Sequence, residues 1–342
     1  MVLKQLKEHL SENSLFEEVQ SAYKEHHNTE TALLKVQNDL LLAADTGNTS
    51  ILTLLDLSAA FDTIDHSILL DRLSITFGLS GTIMDWFGSY LRDRTQCVVV
   101  KGKPSDLFNL ECGVPQGSVL GPILYTLYTS PLGSIIKKHN ILYHMYADDT
   151  QLYQSVCPSE LPSLLEKFET CIKEVKHWMK TNKLQLNEEK TECLIFNFSG
   201  QLHSPDHIKI GNETIPFTKK AKNLGVYFDD QLSMDSHISN LCRQMYLELR
   251  RIGAMVNFLD ESSRQILISS FILSRLDYCK SLLFNLPDNS LNKLQRCQNN
   301  AARVILRKRK REHVTHVFKH PHWLPIKGRI HYKIALLLVC YK

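Results

Sequence analysis

An α+β fold is predicted by three features of the sequence. Short apolar, β-branched runs of strand length alternate with helical stripes through the middle of the chain. One long amphipathic helix is unmistakable among them. From about Ser236 onward the pattern is helical, with Gly253 and Pro287 as punctuation, so a sheet domain carries a helical appendage.

The stretch to about Asp45 reads as helices, with Leu33, Leu34, Val36, Leu40 and Leu41 on an apolar face and Asp45-Thr46-Gly47-Asn48 as the stop. Ile51–Leu57 has the length of a buried strand and ends on a carboxylate, Asp56. Ile68, Leu69, Leu73 and Phe77 recur at helical spacing before Gly78, and a further helix is predicted near Ile83–Leu91. Cys97–Val100 is a β-branched run with Phe108–Leu110 as its expected hairpin partner. Gly113–Ser118 is a loop by composition. Gly121-Pro122 opens a helix that Pro131 is expected to close. Ile141–Tyr146 and Thr150–Tyr153 flank Ala147-Asp148-Asp149, which predicts a hairpin with acids at its tip. Leu161, Leu164, Leu165, Phe168, Ile172, Val175 and Trp178 form one continuous apolar stripe that ends near Asn182. Cys193–Phe198 returns as a strand, and Ile208–Ile210 with Leu224–Phe228 is the last expected strand pair.

Composition narrows the class. With 342 residues, two or three lobes of roughly 150 residues are expected. Hydrophobic content of 43% and charged content of 22% suffice for packed cores and exclude a long disordered chain. Nine scattered cysteines without a C-x2-C pair argue against a disulfide framework and a zinc ribbon, and read as reduced thiols of an intracellular protein. MVLKQLKEHL has no apolar signal region, and no apolar run approaches the ~20 residues of a membrane span.

Net charge is only +4, but Arg307-Lys308-Arg309-Lys310-Arg311 is a basic block, followed by Lys319, Lys327, Arg329 and Lys333. Such a block attracts a nucleic-acid backbone by counterion release, serves nuclear import, or is simply a solvated helix face. His313, His316, His320 and His322 cluster without a Cys or acid to complete a familiar zinc set, so surface or packing roles are expected.

Chemistry concentrates in three acids that end or interrupt apolar strands: Asp56 and the pair Asp148-Asp149. If their strands are neighbours, the carboxylates converge, and like charges so close repel unless a cation is bound. Hard oxygen donors without His or Cys suit Mg²⁺ or Mn²⁺, and two such ions about 3.5–4 Å apart can activate a hydroxyl and stabilise a leaving phosphate oxygen. The plain alternative is an acidic β-turn. Asp62 and Asp65 are expected to cap the following helix.

LLDLSAAFDTIDH (Leu54–His66), GVPQGSVLGPILYTLY (Gly113–Tyr128) and YADDTQLY (Tyr146–Tyr153) resemble, in this order, three palm motifs of the reverse transcriptases of LINE-type (non-LTR) retrotransposons. WMKTNKLQLNEEKTECLIF (Trp178–Phe196) and KNLGVYFDDQL (Lys222–Leu232) look like the next two motifs. QSAYKEHHNTETALL (Gln20–Leu34) looks like the fingers segment, and LSRLDYCKSLLFNLP (Leu273–Pro287) with HWLPIKGRI (His322–Ile330) like the C-terminal stretch.

The resemblance implies a right-hand polymerase: partial fingers over 1–49, a palm over 50–230 with a fingers insertion at about 80–112, and a helical thumb and basic region over 231–342. It implies an RNA-directed DNA polymerase that adds dNTPs to a DNA primer on an RNA template, with two Mg²⁺ or Mn²⁺ ions on Asp56, Asp148 and Asp149. Leu57 is implied to offer a backbone carbonyl, Phe61 to exclude a 2′-hydroxyl, and Gln116, Gly117 and Lys24 to lie at the nucleotide. Lys190 is implied as an acid for the pyrophosphate. The family pattern normally includes an earlier fingers segment with basic nucleotide-contacting residues, so an N-terminally truncated polymerase is expected. The alternative is a catalytically silent relic that still binds RNA or an RNA–DNA duplex.

Overall fold

A computed structural model describes residues 1–58, 61–198, 205–210, 213–309, 312 and 323–340. Lys310, Arg311 and the four clustered histidines lie outside the described residues. The chain divides into two compact units, Met1–His27 with Ala43–Ile195 and Ser199–Phe217, and Asn28–Leu42 with Phe196–Phe198 and Thr218–Lys342.

The first unit opens with helix α1 (Val2–Glu12). Helix α2 (Thr29–Asp45) gives this unit only its last turn. Strand β1 (Thr49–Ser58) follows, then α3 (His66–Ile75) and α4 (Thr82–Leu91). Asp65 caps α3 as expected, accepting hydrogen bonds from the Ser67 hydroxyl and from the backbone N–H groups of Ser67 and Ile68, which holds its pKa low. Asp62 does not cap; it accepts a hydrogen bond from Gln116 at 2.8 Å.

The predicted hairpin after α4 is two short ladders rather than one. Strand β2 (Thr95–Gln96) pairs with β5 (Phe108–Asn109), while β3 (Val99–Val100) pairs with β4 (Lys103–Pro104). Val98, Val99, Val100 and Phe108 are all exposed on this arm. Helix α5 (Gly121–Thr129) begins with Pro122 in its first turn. Pro131 does more than close α5: it starts a helix missed by the sequence reading, α6 (Pro131–Lys138), because proline costs nothing where the N–H would be unbonded anyway.

Strands β6 (Leu142–Tyr146) and β7 (Asp149–Val156) form the acid-tipped hairpin. Helix α7 (Leu161–Thr181) buries Leu161, Leu164, Phe168, Ile172 and Val175 and packs on α6. Trp178 is only partly buried, and Met179 takes the deep position at the end of the stripe, as a 3.6-residue period drifts over five turns. Strand β8 (Gln185–Phe196) completes a four-stranded sheet of order β6-β7-β1-β8. β1 is internal, so nearly all its residues are buried, and polar ones pair across the ladder, as Ser50 with Ser155 at 2.7 Å. β9 (His207–Ile210) pairs with β10 (Glu213–Pro216), not with the 224–228 run. That run pairs instead with its own neighbour, β11 (Lys220–Asn223) with β12 (Val226–Asp229), the local hairpin closing at lower entropic cost than the distant pair.

The second unit holds that hairpin, α8 (Asp235–Ala254), α9 (Glu261–Ile268), a π turn at Ser269–Leu273, α10 (Ser274–Asp277), α11 (Asp288–Ile305) and α12 (Ile326–Cys340). The 28–42 part of α2 is tied in by Glu30, which is 6% exposed, accepts hydrogen bonds from Ser281 and pairs with Lys333 at 3.1 Å. No helix among the described residues is long and apolar enough to cross a membrane.

His237 of α8 is buried and its Nδ1 lacks a hydrogen-bond partner, so burial pulls its pKa from an ordinary 6.5 to about 4. The unfolded chain takes a proton near 6.5 and the folded chain only near 4. Stability is therefore intact above pH 6.5 and lost on acidification towards 4, by about 3 kcal/mol in full. Thermal melts of His237→Leu should show a flatter decline between pH 6.5 and 4.5 than the parent; an equally steep decline would contradict the assignment.

Candidate active site

Strand register builds the site. β1 and β7 pair antiparallel from Thr49↔Val156 to Leu55↔Thr150, and the next residue on each strand is Asp56 and Asp149. On the other side, β6 and β7 close with Tyr146↔Asp149, leaving Ala147-Asp148 as the loop. A two-residue loop with positive φ at its first position is a type II′ arrangement that favours glycine there; Ala147 holds φ 56°. Asp56 and the distant pair Asp148-Asp149 thus meet at one end of the sheet.

Their charges interact. Asp149 is open to solvent on one side and walled by the strand ends on the other, and its pKa rises to about 6, by burial first, then by Asp148 and Asp56. Asp56 points its Oδ2 inward, where that atom is buried and makes no hydrogen bond. Lys190 Nζ stands 3.5 Å from it, carried there by β8. Among the described residues no three acidic, His or Cys side chains are already drawn into a ligand set. Mutual repulsion with a lysine as counter-charge accounts for that spread. The donor chemistry still fits a hard divalent cation: carboxylate oxygens alone, one of them buried and unbonded, with no nitrogen or sulfur ligand near.

The segment after β1 is laced to the loop before α5. Gly113 N–H donates to Ile64 O at 2.7 Å, Val114 N–H to Phe61 O at 3.0 Å, and His66 bonds Gly113 O at 2.7 Å. Gly113 is the position where backbone approach demands glycine, since a Cβ there would meet Asp62 O at 2.9 Å and φ is +86°. Gly117, implied to lie at the nucleotide, has φ +76° but open space around it. Phe61 stacks on Tyr125, with centroids 4.6 Å apart and planes 29° from parallel. Tyr125 is fully buried, its hydroxyl has no partner, and burial and the nearby Asp148 and Asp149 push its pKa well up. Leu57 is buried.

So the structure brings Asp56, Asp148, Asp149 and Lys190 together, and fastens Phe61 and Gln116 to one another's segments. It does not bring Lys24 in: that ammonium donates to Glu18 O at 3.2 Å. In the other unit, Arg307 donates to the carbonyls of Val256 and Leu259, and Lys308 pairs with Glu312 at 3.3 Å, which also binds the Arg309 N–H. Part of the basic block thus caps its own fold.

Residues 1–241 match the family model described as reverse transcriptase (RNA-dependent DNA polymerase). The chain belongs to that family. Its curated relatives bear out the LINE-type resemblance. The chain resembles a probable RNA-directed DNA polymerase from transposon BS of Drosophila melanogaster, 26% identical over 75% of this chain and 28% of that protein. It also resembles the RNA-directed DNA polymerase from mobile element jockey of the same fly, 26% identical over 69% of this chain and 26% of that protein. A third, from transposon X-element, is 25% identical over 84% of this chain and 32% of that protein. The chain therefore spans between about a quarter and a third of the length of these relatives. Apo telomerase from Candida tropicalis has the same fold, with TM-score 0.50 and 15% identity over 90% of this chain and 55% of that one. The fold is thus that of a right-hand polymerase.

Cation binding should relieve the repulsion among the three acids. Since Asp149 holds a proton below about 6, adding Mg²⁺ or Mn²⁺ should raise the melting temperature more at pH 8 than at pH 5, and much less in Asp148→Asn. An equal rise in that variant would contradict the site.

Proposed function

We propose that this chain is the polymerase core of a non-LTR retrotransposon reverse transcriptase, which extends a DNA primer with dNTPs on an RNA template. The observation that carries the reading is the meeting of Asp56 with Asp148 and Asp149 at the end of β1 and β7, beside Lys190. Asp56, Asp148 and, more loosely, Asp149 would hold two Mg²⁺ or Mn²⁺ ions, with the Leu57 carbonyl as a further donor. When bound, these supply a lower pKa for the primer 3′-hydroxyl and charge neutralisation on the triphosphate.

The protein groups do the rest. Lys190, next to Asp56, is placed to give a proton to the departing pyrophosphate. Phe61, backed by Tyr125, walls off the space a 2′-hydroxyl needs. Gln116, fixed by Asp62, and Gly117 form the floor for nucleotide and template, with Lys24 turning from Glu18 O to a phosphate. In this reading the palm covers about 50–230, the N-terminal stretch and the 80–112 arm serve as fingers, and the helical remainder as thumb. A cavity of about 560 Å³ in the second unit is lined by Arg250, Arg303, Arg307, Lys308 and Tyr246, a set suited to phosphates with a ring for stacking.

Purified protein should incorporate dTTP on poly(rA)–oligo(dT) with Mg²⁺ or Mn²⁺, and Asp148→Asn should abolish it. Phe61→Ala should raise UTP incorporation relative to dTTP by about tenfold or more, on the order of the discrimination a single steric contact supplies. Duplex binding without incorporation by the parent protein would favour instead a silent polymerase fold that retains RNA–DNA binding.

A further inference from the structure

Resting on the two-ion reading above, we propose that Gln20 is a positioning residue: its side-chain amide locks the Ala147-Asp148 turn so that Asp148 faces the cation site. Gln20 is 7% exposed and sits in a short segment that runs parallel beside β6. The backbone makes that pairing by itself, through Ser21 N–H to Met145 O at 2.9 Å and Met145 N–H to Val19 O at 3.0 Å. The Gln20 side chain is not needed for it and is spent elsewhere. Its Oε1 accepts from Ala147 N–H at 3.1 Å and from Ala22 N–H at 2.9 Å. Its Nε2 donates to Ala147 O at 3.4 Å. One amide therefore grips both polar backbone groups of the residue before Asp148.

That residue is the one the turn strains. Ala147 lies in the left-handed region at φ 56°, a conformation unfavourable to any residue but glycine. Such strain persists only where surrounding contacts over-determine it. Without the clamp, the turn gains access to conformations that carry the Asp148 carboxylate away from Asp56. The arrangement is like that of outer groups orienting a metal ligand, whose loss weakens affinity roughly 10–100-fold. It works through the backbone of the preceding residue, so the carboxylate itself stays unbonded to Gln20 and available to a cation.

Gln20→Met keeps side-chain length and removes both hydrogen-bonding groups. Mn²⁺ binding, followed by electron paramagnetic resonance without substrate, should weaken by about tenfold, with kcat falling further than the KM for dTTP changes. Adding Ala147→Gly, which accepts positive φ without strain, should restore part of the affinity in the Gln20→Met background. Unchanged Mn²⁺ affinity in Gln20→Met would overturn the proposal. So would a loss that follows the unfolded fraction in parallel melts, or one that Ala147→Gly does not relieve. Mn²⁺ binding by the parent protein that survives Asp148→Asn would overturn the two-ion reading itself, and the inference about Gln20 with it.

Discussion

The site depends on one constraint, the antiparallel register of β1 against β7. A shift of one residue would turn Asp56 to the opposite face of the sheet, away from Asp148 and Asp149. Burial on both faces enforces the register. Ile51, Leu52 and Leu55 of β1 are nearly inaccessible, and the polar residues that share the strand are matched across it, Ser50 to Ser155 and Thr53 to Cys193. The same ladder that makes the core therefore aims the acids. The β6–β7 loop has only Ala147 and Asp148 to work with, so the strand ends deliver Asp148 and Asp149 to one edge without any long, mobile connection.

Charge at this edge runs against stability. Burial and two neighbouring carboxylates raise the Asp149 pKa to about 6, Asp56 Oδ2 is buried without a hydrogen bond, and the Tyr125 hydroxyl beneath Phe61 is likewise unpartnered. Elsewhere in the first unit a half-buried charge is well paired. Arg72, half-buried, donates to Tyr128 O and to Asn182 Oδ1 while its guanidinium lies over the Tyr128 and Trp178 rings. A buried, unbonded carboxylate oxygen beside two further acids is what a site for a charged ligand requires, and a merely acidic turn at a solvated hairpin tip would not bury Asp56 Oδ2.

Much of this is legible in the sequence. The apolar runs around Asp56 and Asp148, the amphipathic period of α7 and the turn residues between them suffice to place the acids on strand ends. The resemblance to the family motifs is what implies the roles proposed for Phe61, Gln116 and Lys190. Less was visible where partners compete locally: the 208–210 and 224–228 runs look equally strand-like, and only closure of the nearer hairpins decides their pairing. Pro131 ends one helix and starts another, two readings that share one residue. Gln20 lay in a recognised segment, yet nothing in a linear pattern tells that its amide reaches a turn more than a hundred residues on. Lys24, inherited from the same segment, bonds a neighbouring carbonyl instead of the acids.

The most direct measurement is anomalous diffraction at the manganese edge from crystals grown with Mn²⁺, an RNA–DNA primer–template and a non-hydrolysable dNTP analogue. The account predicts two peaks between Asp56 and Asp148, with Lys190 released from Asp56 and facing the triphosphate. Peaks confined to other carboxylates, or Asp56 still paired with Lys190 while the nucleotide is bound, would contradict it.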